Sequence, residues 1–210
     1  MMYHGAGIPL PHTLQLIMEN YIRLYDNVLS DEYCDLLRDK FDSDPDSHDH
    51  HHHGPMRFSQ ININKNWNKH VQPITDIMSK QILQYKTDVG VIDRQWPDHY
   101  AWEEIRLKRY LPNGKDEFAS HVDAVDRRSS IRFLAFFIYL DDNEEGGTHF
   151  PQMGATSPCK KGSMLLFPPF WTYLHAGLKP IEKPKYILGS YLHFLSLHNE
   201  LMLAGKPILD

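Results

Sequence analysis

Only two cysteines, Cys34 and Cys159, occur in 210 residues. Neither belongs to a C-x-x-C pair or to the spacing of a secreted disulfide framework, so reduced thiols and a cytoplasmic location are expected. No apolar run reaches the ~20 residues that a membrane-spanning helix requires. The opening MMYHGAGIPLPHTLQLIMENY has no basic leader joined to an uninterrupted apolar segment, and neither membrane insertion nor export is expected. A basic excess is missing too. Lys and Arg number 22 against 27 Asp and Glu, a formal charge of −5, which leaves no electrostatic footprint for DNA or RNA. Nucleic acid is therefore not an expected partner. Internal repeats and Pro/Gly-rich linkers are also lacking, and the length suits one domain spanning 1–210.

What is present is globular: 41% hydrophobic and 12% aromatic residues. YIRLYDNVL at 21–29 alternates apolar and polar positions and reads as a strand. Ser30 followed by Asp31 and Glu32 supplies an N-cap and an acidic first turn for a helix to about Phe41. Ile74, Met78, Ile82 and Tyr85 recur at helical spacing and predict a second helix from Val71 to about Val89. Between the two, DSDPDSHDHHHHGP reads as a mobile polar loop whose adjacent histidines would bind divalent ions only loosely.

After Trp102 the pattern changes to strands. WEEIRLKRYL ends at PNG, IRFLAFFIYL ends at DDNEEGG, and SMLLFP and KYILGSYLHF follow. IRFLAFFIYL is apolar in both alternating registers, as a strand covered on both faces must be. The expected fold is mainly β with N-terminal helices (α+β), ending in a jelly roll or barrel. It divides into a 1–20 extension, a strand and supporting helices over 21–100, and a jelly-roll core over 101–196.

HVDAVD at 121–126 places His121 and Asp123 two positions apart, so on a strand or its edge both point the same way. In a chain with 14 histidines such a pair also arises by chance. Two His and one carboxylate suit ferrous iron in oxygen-activating enzymes. His175, far away in sequence but between strand-like segments of the same half, is the best third donor, although a lone His there is more often a core or turn residue. Ten residues on, Lys185 offers a cation for the far carboxylate of an acidic cosubstrate. His149 and His193 lack that spacing and read as packing or supporting residues.

The ordered blocks VLSDEYCDLL, RYLPNGKDEFASHVD, FIYLDDNEEGGTHFP, KKGSMLLFP and HAGLKPIEKPKYILGSYL resemble the iron(II)- and 2-oxoglutarate-dependent dioxygenases, in their prolyl 4-hydroxylase-like branch, over roughly residues 20–195. That resemblance implies a double-stranded β-helix with His121, Asp123 and His175 as the catalytic iron ligands. Lys185 would be the partner of the 2-oxoglutarate C5 carboxylate, and Tyr110 and Thr148 would be further cosubstrate contacts. Phe118 stands where many members carry a second tyrosine. The implied reaction takes dioxygen and 2-oxoglutarate to succinate and CO2 while hydroxylating an unactivated C–H bond, most simply of a peptidyl proline, with L-ascorbate as an accessory reductant. The His48–His53 segment would lie near the substrate entrance. Trp171, Tyr173, Arg127 and Arg128 are equally readable as substrate-side residues or as core and solvated surface.

Three other readings use the same residues. A non-catalytic jelly roll could hold a metal or small acid and act through contacts. A zinc hydrolase could use His, Asp and His, but would leave Lys185 and the GG turn unexplained. A dioxygenase could instead act on a free amino acid or another small molecule, since fold alone does not fix the substrate. The oligomeric state is not specified by any of these patterns.

Overall fold

Ser30 caps the first helix as its sequence context predicts: its backbone is extended and its Oγ accepts the Tyr33 N–H at 3.3 Å. That helix, α1, runs Asp31–Asp42 and buries Cys34, Leu37 and Phe41. A single turn, α2 (Ile63–Asn66), precedes α3 (Val71–Asp88), which buries Ile74, Met78, Ile82 and Tyr85. The computed structural model describes residues 21–53, 56–196 and 199; the 1–20 extension lies outside them. No helix among the described residues is long and apolar enough to cross a membrane.

The strands are β1 (Arg23–Tyr25), β2 (Asp49–His53), β3 (Met56–Asn62), β4 (Tyr100–Trp102), β5 (Arg106–Tyr110) and β6 (Glu117–His121), followed by β7 (Arg132–Tyr139), β8 (Asn143–Phe150), β9 (Ala155–Cys159), β10 (Met164–Phe167), β11 (His175–Gly177) and β12 (Lys185–Phe194). They pair antiparallel in the order β1-β10-β7-β12-β5-β3-β6-β11-β8-β9, with β2 added to β3 and β4 to β12. β3 makes the fold turn a corner. Its Ser59–Asn62 part pairs with β5 while Met56 and Arg57 pair with β6. The sheet thereby curls into a nearly closed jelly roll.

Two cores flank this sheet. Phe136 and Ile138 of β7, with Leu107 and Leu188, pack against Leu37, Phe41, Ile74, Met78 and Ile82 of the helices. Ala135 and Tyr139, which alternate with them on β7, join Phe150, Leu165 and Phe167 in the second core. This is why IRFLAFFIYL is apolar in both registers.

Four expectations need correction. The 21–29 strand shortens to Arg23–Tyr25, because Asn27 takes a positive φ of 55° and Val28 and Leu29 donate their N–H groups to the Gly162 carbonyl. The described part of the histidine-rich segment is not all loop. Asp49–His53 forms β2 on the edge of β3, and the strand alternation packs the His51 ring on Phe58 at 4.9 Å while His50 and His52 stack 6.1 Å apart. WEEIRLKRYL is broken at 103–105 between β4 and β5. NEEGG is strand rather than turn, because β8 starts at Asn143. A Cβ at Gly147 would lie 2.4 Å from the Ser157 carbonyl oxygen, so its glycine serves close strand approach.

Candidate active site

His121 closes β6 and His175 opens β11, and the two are direct register partners across that antiparallel pair. Asp123 follows β6 by two residues and turns back toward both. Its Oδ1 lies 3.4 Å from His121 Nε2 and its Oδ2 lies 3.5 Å from His175 Nε2. One donor atom from each of the three residues lies within 4.8 Å of the others. Among the described residues this is the one such His/Cys/Asp/Glu cluster.

The rings are held by main chain. His121 Nδ1 donates to the Ala119 carbonyl at 2.8 Å, and His175 Nδ1 donates to the Tyr173 carbonyl at 2.9 Å. With the Nδ1 proton committed, each Nε2 carries a free lone pair. His121 Nε2 is buried and has no hydrogen-bond partner. Burial pushes the His175 imidazole below its ordinary pKa, toward the neutral form that ligates metal. Burial alone would raise the Asp123 carboxyl, but the adjoining His121 and His175 and the Tyr191 hydroxyl outweigh it and hold the group at about 2. An orphaned Nε2, a second neutral imidazole and an ionised carboxylate at this spacing fit a divalent ion of the iron(II) type, with coordination positions to spare.

Aromatic rings line the site. Phe118 stacks on His121 with centroids 3.5 Å apart, and Phe167 meets His175 edge-on at 4.7 Å. Phe118 thus supplies an apolar wall and no hydroxyl.

A cavity of about 750 Å³ joins this triad to Lys185, Tyr110 and Thr148. Lys185 opens β12 opposite Tyr110 of β5. It is 2% exposed, donates to the Leu178 carbonyl at 2.5 Å and lies 4.7 Å from the Tyr110 ring centroid. No carboxylate pairs with it among the described residues, and burial pushes its ammonium down to about 8. A desolvated cation at a cavity wall fits an incoming carboxylate. Thr148 Oγ1 is 2.8 Å from the Tyr139 hydroxyl.

Other sequence candidates fall elsewhere. Trp171 is 77% exposed, whereas Tyr173 is core and orients His175 through its carbonyl. Arg128 lines the cavity, and so does His51 of the histidine segment; Arg127 does not. His149 bonds to Thr156 and His193 to the Phe194 carbonyl, both away from the triad.

Several residues escaped the sequence reading. The Tyr191 hydroxyl donates to Asp123 Oδ1 at 2.7 Å. Arg132 donates to the Asp123 carbonyl at 2.9 Å while forming a two-pronged ion pair with Glu103 and covering the Tyr191 ring at 4.0 Å. The signal for Tyr191 was available: on a strand beginning at Lys185, every second residue shares that lysine's face.

Residues 105–193 match the model of the 2OG-Fe(II) oxygenase superfamily. No curated protein matches the sequence. Among solved structures, the viral collagen prolyl hydroxylase of Paramecium bursaria Chlorella virus-1, as its 2OG complex, is 22% identical with a TM-score of 0.62, covering 83% of this chain and 97% of that one. A Pseudomonas putida prolyl-4-hydroxylase is 12% identical with a TM-score of 0.66, covering 87% and 100%. A Trichoplax adhaerens prolyl hydroxylase, solved with a peptide fragment of the hypoxia inducible factor oxygen degradation domain, is 13% identical with a TM-score of 0.65, covering 92% and 93%. At these identities the structures establish the fold, and the family match encloses every donor of the triad together with Lys185. The barrel thus shares its fold with these prolyl hydroxylases, and the segment that carries the triad and Lys185 is similar to the 2OG-Fe(II) oxygenase superfamily.

Proposed function

We propose that the protein hydroxylates an unactivated C–H bond, of a peptidyl proline in the first instance, while 2-oxoglutarate and dioxygen yield succinate and CO2. The observation that carries this reading is one cavity holding a His121–Asp123–His175 donor set and, at a separate wall, the uncompensated ammonium of Lys185. His121, Asp123 and His175 would hold iron(II), which when bound supplies the oxygen chemistry.

The chain's own contributions follow from its contacts. Lys185 anchors the C5 carboxylate of the cosubstrate, with Tyr110 and Thr148 beside it. Tyr191 and Arg132 fix the Asp123 carboxylate and carbonyl, so that the acid keeps its orientation. Phe118 and Phe167 exclude water around the two imidazoles. The peptidyl proline rests on the neighbours' being prolyl hydroxylases and on the peptide held by one of them. L-ascorbate belongs to this reading only as an assay reductant.

The test is succinate release from 2-oxoglutarate with added iron(II), first alone and then with proline-containing peptides, with mass detection of a one-oxygen gain. Peptide-stimulated succinate with a matching mass gain is expected. A folded, iron-replete protein that leaves 2-oxoglutarate unconsumed with every peptide would overturn the reading.

A further inference from the structure

The cavity contains one cation too many for the chemistry described so far. Lys108 lies two residues before Tyr110 on β5, on the same strand face, and lines the same cavity. Its neighbours Arg106 and Arg132 are each neutralised, by Glu104 at 2.7 Å and by Glu103 at 2.5 Å. The Lys108 ammonium makes no hydrogen bond and no ion pair among the described residues. Its ammonium instead stands 4.9 Å from the Phe58 ring centroid and 5.4 Å from that of Phe118. Burial pushes it down to about 8, although the Asp123 charge pulls the other way.

Formal charge sharpens the point. A divalent ion against the Asp123 carboxylate leaves one positive charge, Lys185 adds a second, and a dianionic cosubstrate cancels both. Lys108 is left over. Cation–π contact with two phenylalanines repays only part of the desolvation of an ammonium.

The strand register places a second donor beside it. Gln60 of β3 is the direct partner of Lys108, is 6% exposed and lines the cavity. Its side-chain amide likewise has no hydrogen bond among the described residues. An ammonium and an amide N–H side by side above an aromatic floor are the donors that one carboxylate accepts.

We propose that Lys108 and Gln60 bind a carboxylate of the primary substrate and make the enzyme selective for an acid. The carboxylate belongs either to an acidic residue flanking the target proline of a peptide or to the α-carboxylate of a free amino acid. The assignment of the neighbouring charges rests on the dioxygenase reading; the donor pair itself does not.

Isothermal titration tests this with two probe pairs, N-acetyl-Glu-Pro-Gly-amide against its Gln counterpart and L-proline against L-prolinamide. Each is titrated into wild type, Lys108→Met and Lys108→Gln, both ligand-free and loaded without oxygen with manganese(II) and 2-oxoglutarate. One acid is expected to bind wild type at least about tenfold more tightly than its amide. That ratio should fall to within twofold in both variants, while manganese and 2-oxoglutarate affinities stay within twofold of wild type. The pair that loses discrimination identifies the source of the carboxylate. Equal affinities of acid and amide in wild type, or absence of binding by either acid, overturn the proposal. So does discrimination that survives in both variants, or a tenfold loss of 2-oxoglutarate affinity, which would give Lys108 to the cosubstrate. Should wild type discriminate acid from amide yet bind neither manganese nor 2-oxoglutarate, the Lys108 site stands and the dioxygenase reading of the cavity falls.

Discussion

At the scale of single residues, the two lysines and the three proposed metal donors separate by what their removal is expected to do. His121→Ala or His175→Ala is expected to abolish 2-oxoglutarate turnover with the fold retained, measured as succinate release beside a circular dichroism spectrum. Lys185→Ala is expected to weaken 2-oxoglutarate binding by about one to two powers of ten, the worth of a charge-assisted contact, with metal binding nearly unchanged. The same lysine sets a pH dependence. Its folded pKa of about 8 lies below the ordinary 10.5, so the folded state disfavours the proton. The resulting penalty is full below about pH 8 and is relieved as pH rises toward 10.5. Lys185→Met is therefore expected to stabilise the ligand-free protein at pH 7 by about 1–3 kcal/mol in urea unfolding, while wild-type affinity for 2-oxoglutarate falls about tenfold per pH unit above 8. Lys108 titrates in the same range, and repeating the measurement in Lys108→Met separates them. That His121, Asp123, His175 and Lys185 would share one cavity was legible because each sits in a motif of its own. The placement of Lys108, Gln60, Tyr191 and Arg132 around that cavity was not, since it comes from strand register, and register is set by pairings that no single stretch of sequence contains.

At the scale of elements, the helices were the most readable part. Both of the longer ones follow from a cap or an apolar stripe, which are local signals. β2 and β8 were misread for the opposite reason: four histidines and a GG pair carry turn-like composition, and only the edges of β3 and β9 make strands of them. Glycines in this sheet mark close approach instead. A Cβ on Gly189 would lie 2.5 Å from Phe137 Cβ and 2.8 Å from the Phe136 carbonyl oxygen across the β7–β12 pair. Gly189→Ala is expected to cost about 1–3 kcal/mol, read as a lower urea midpoint. A midpoint equal to wild type would show that the two strands part without penalty.

At the scale of the whole molecule, helices and barrel share the Leu37, Phe41, Ile74 and Leu188 core, and we expect them to unfold together as the single domain that the length suggests. Near- and far-ultraviolet circular dichroism should give coincident transitions; separated transitions would mean that the helical layer melts alone. Manganese(II) with 2-oxoglutarate at about 100 times its dissociation constant should add about 2.7 kcal/mol, seen as a rise in Tm that Lys185→Ala largely removes. The fold persists among neighbours only 12–22% identical to this chain, and the way the two imidazoles are steered shows how one part of the site withstands such drift. Both take their orientation from a carbonyl two residues upstream, Ala119 for His121 and Tyr173 for His175. Every amino acid carries that carbonyl. Substitution at 119 or 173 changes a side chain and leaves the steering group in place, so these aiming contacts are mutationally silent, and selection is left free to vary the residues around them.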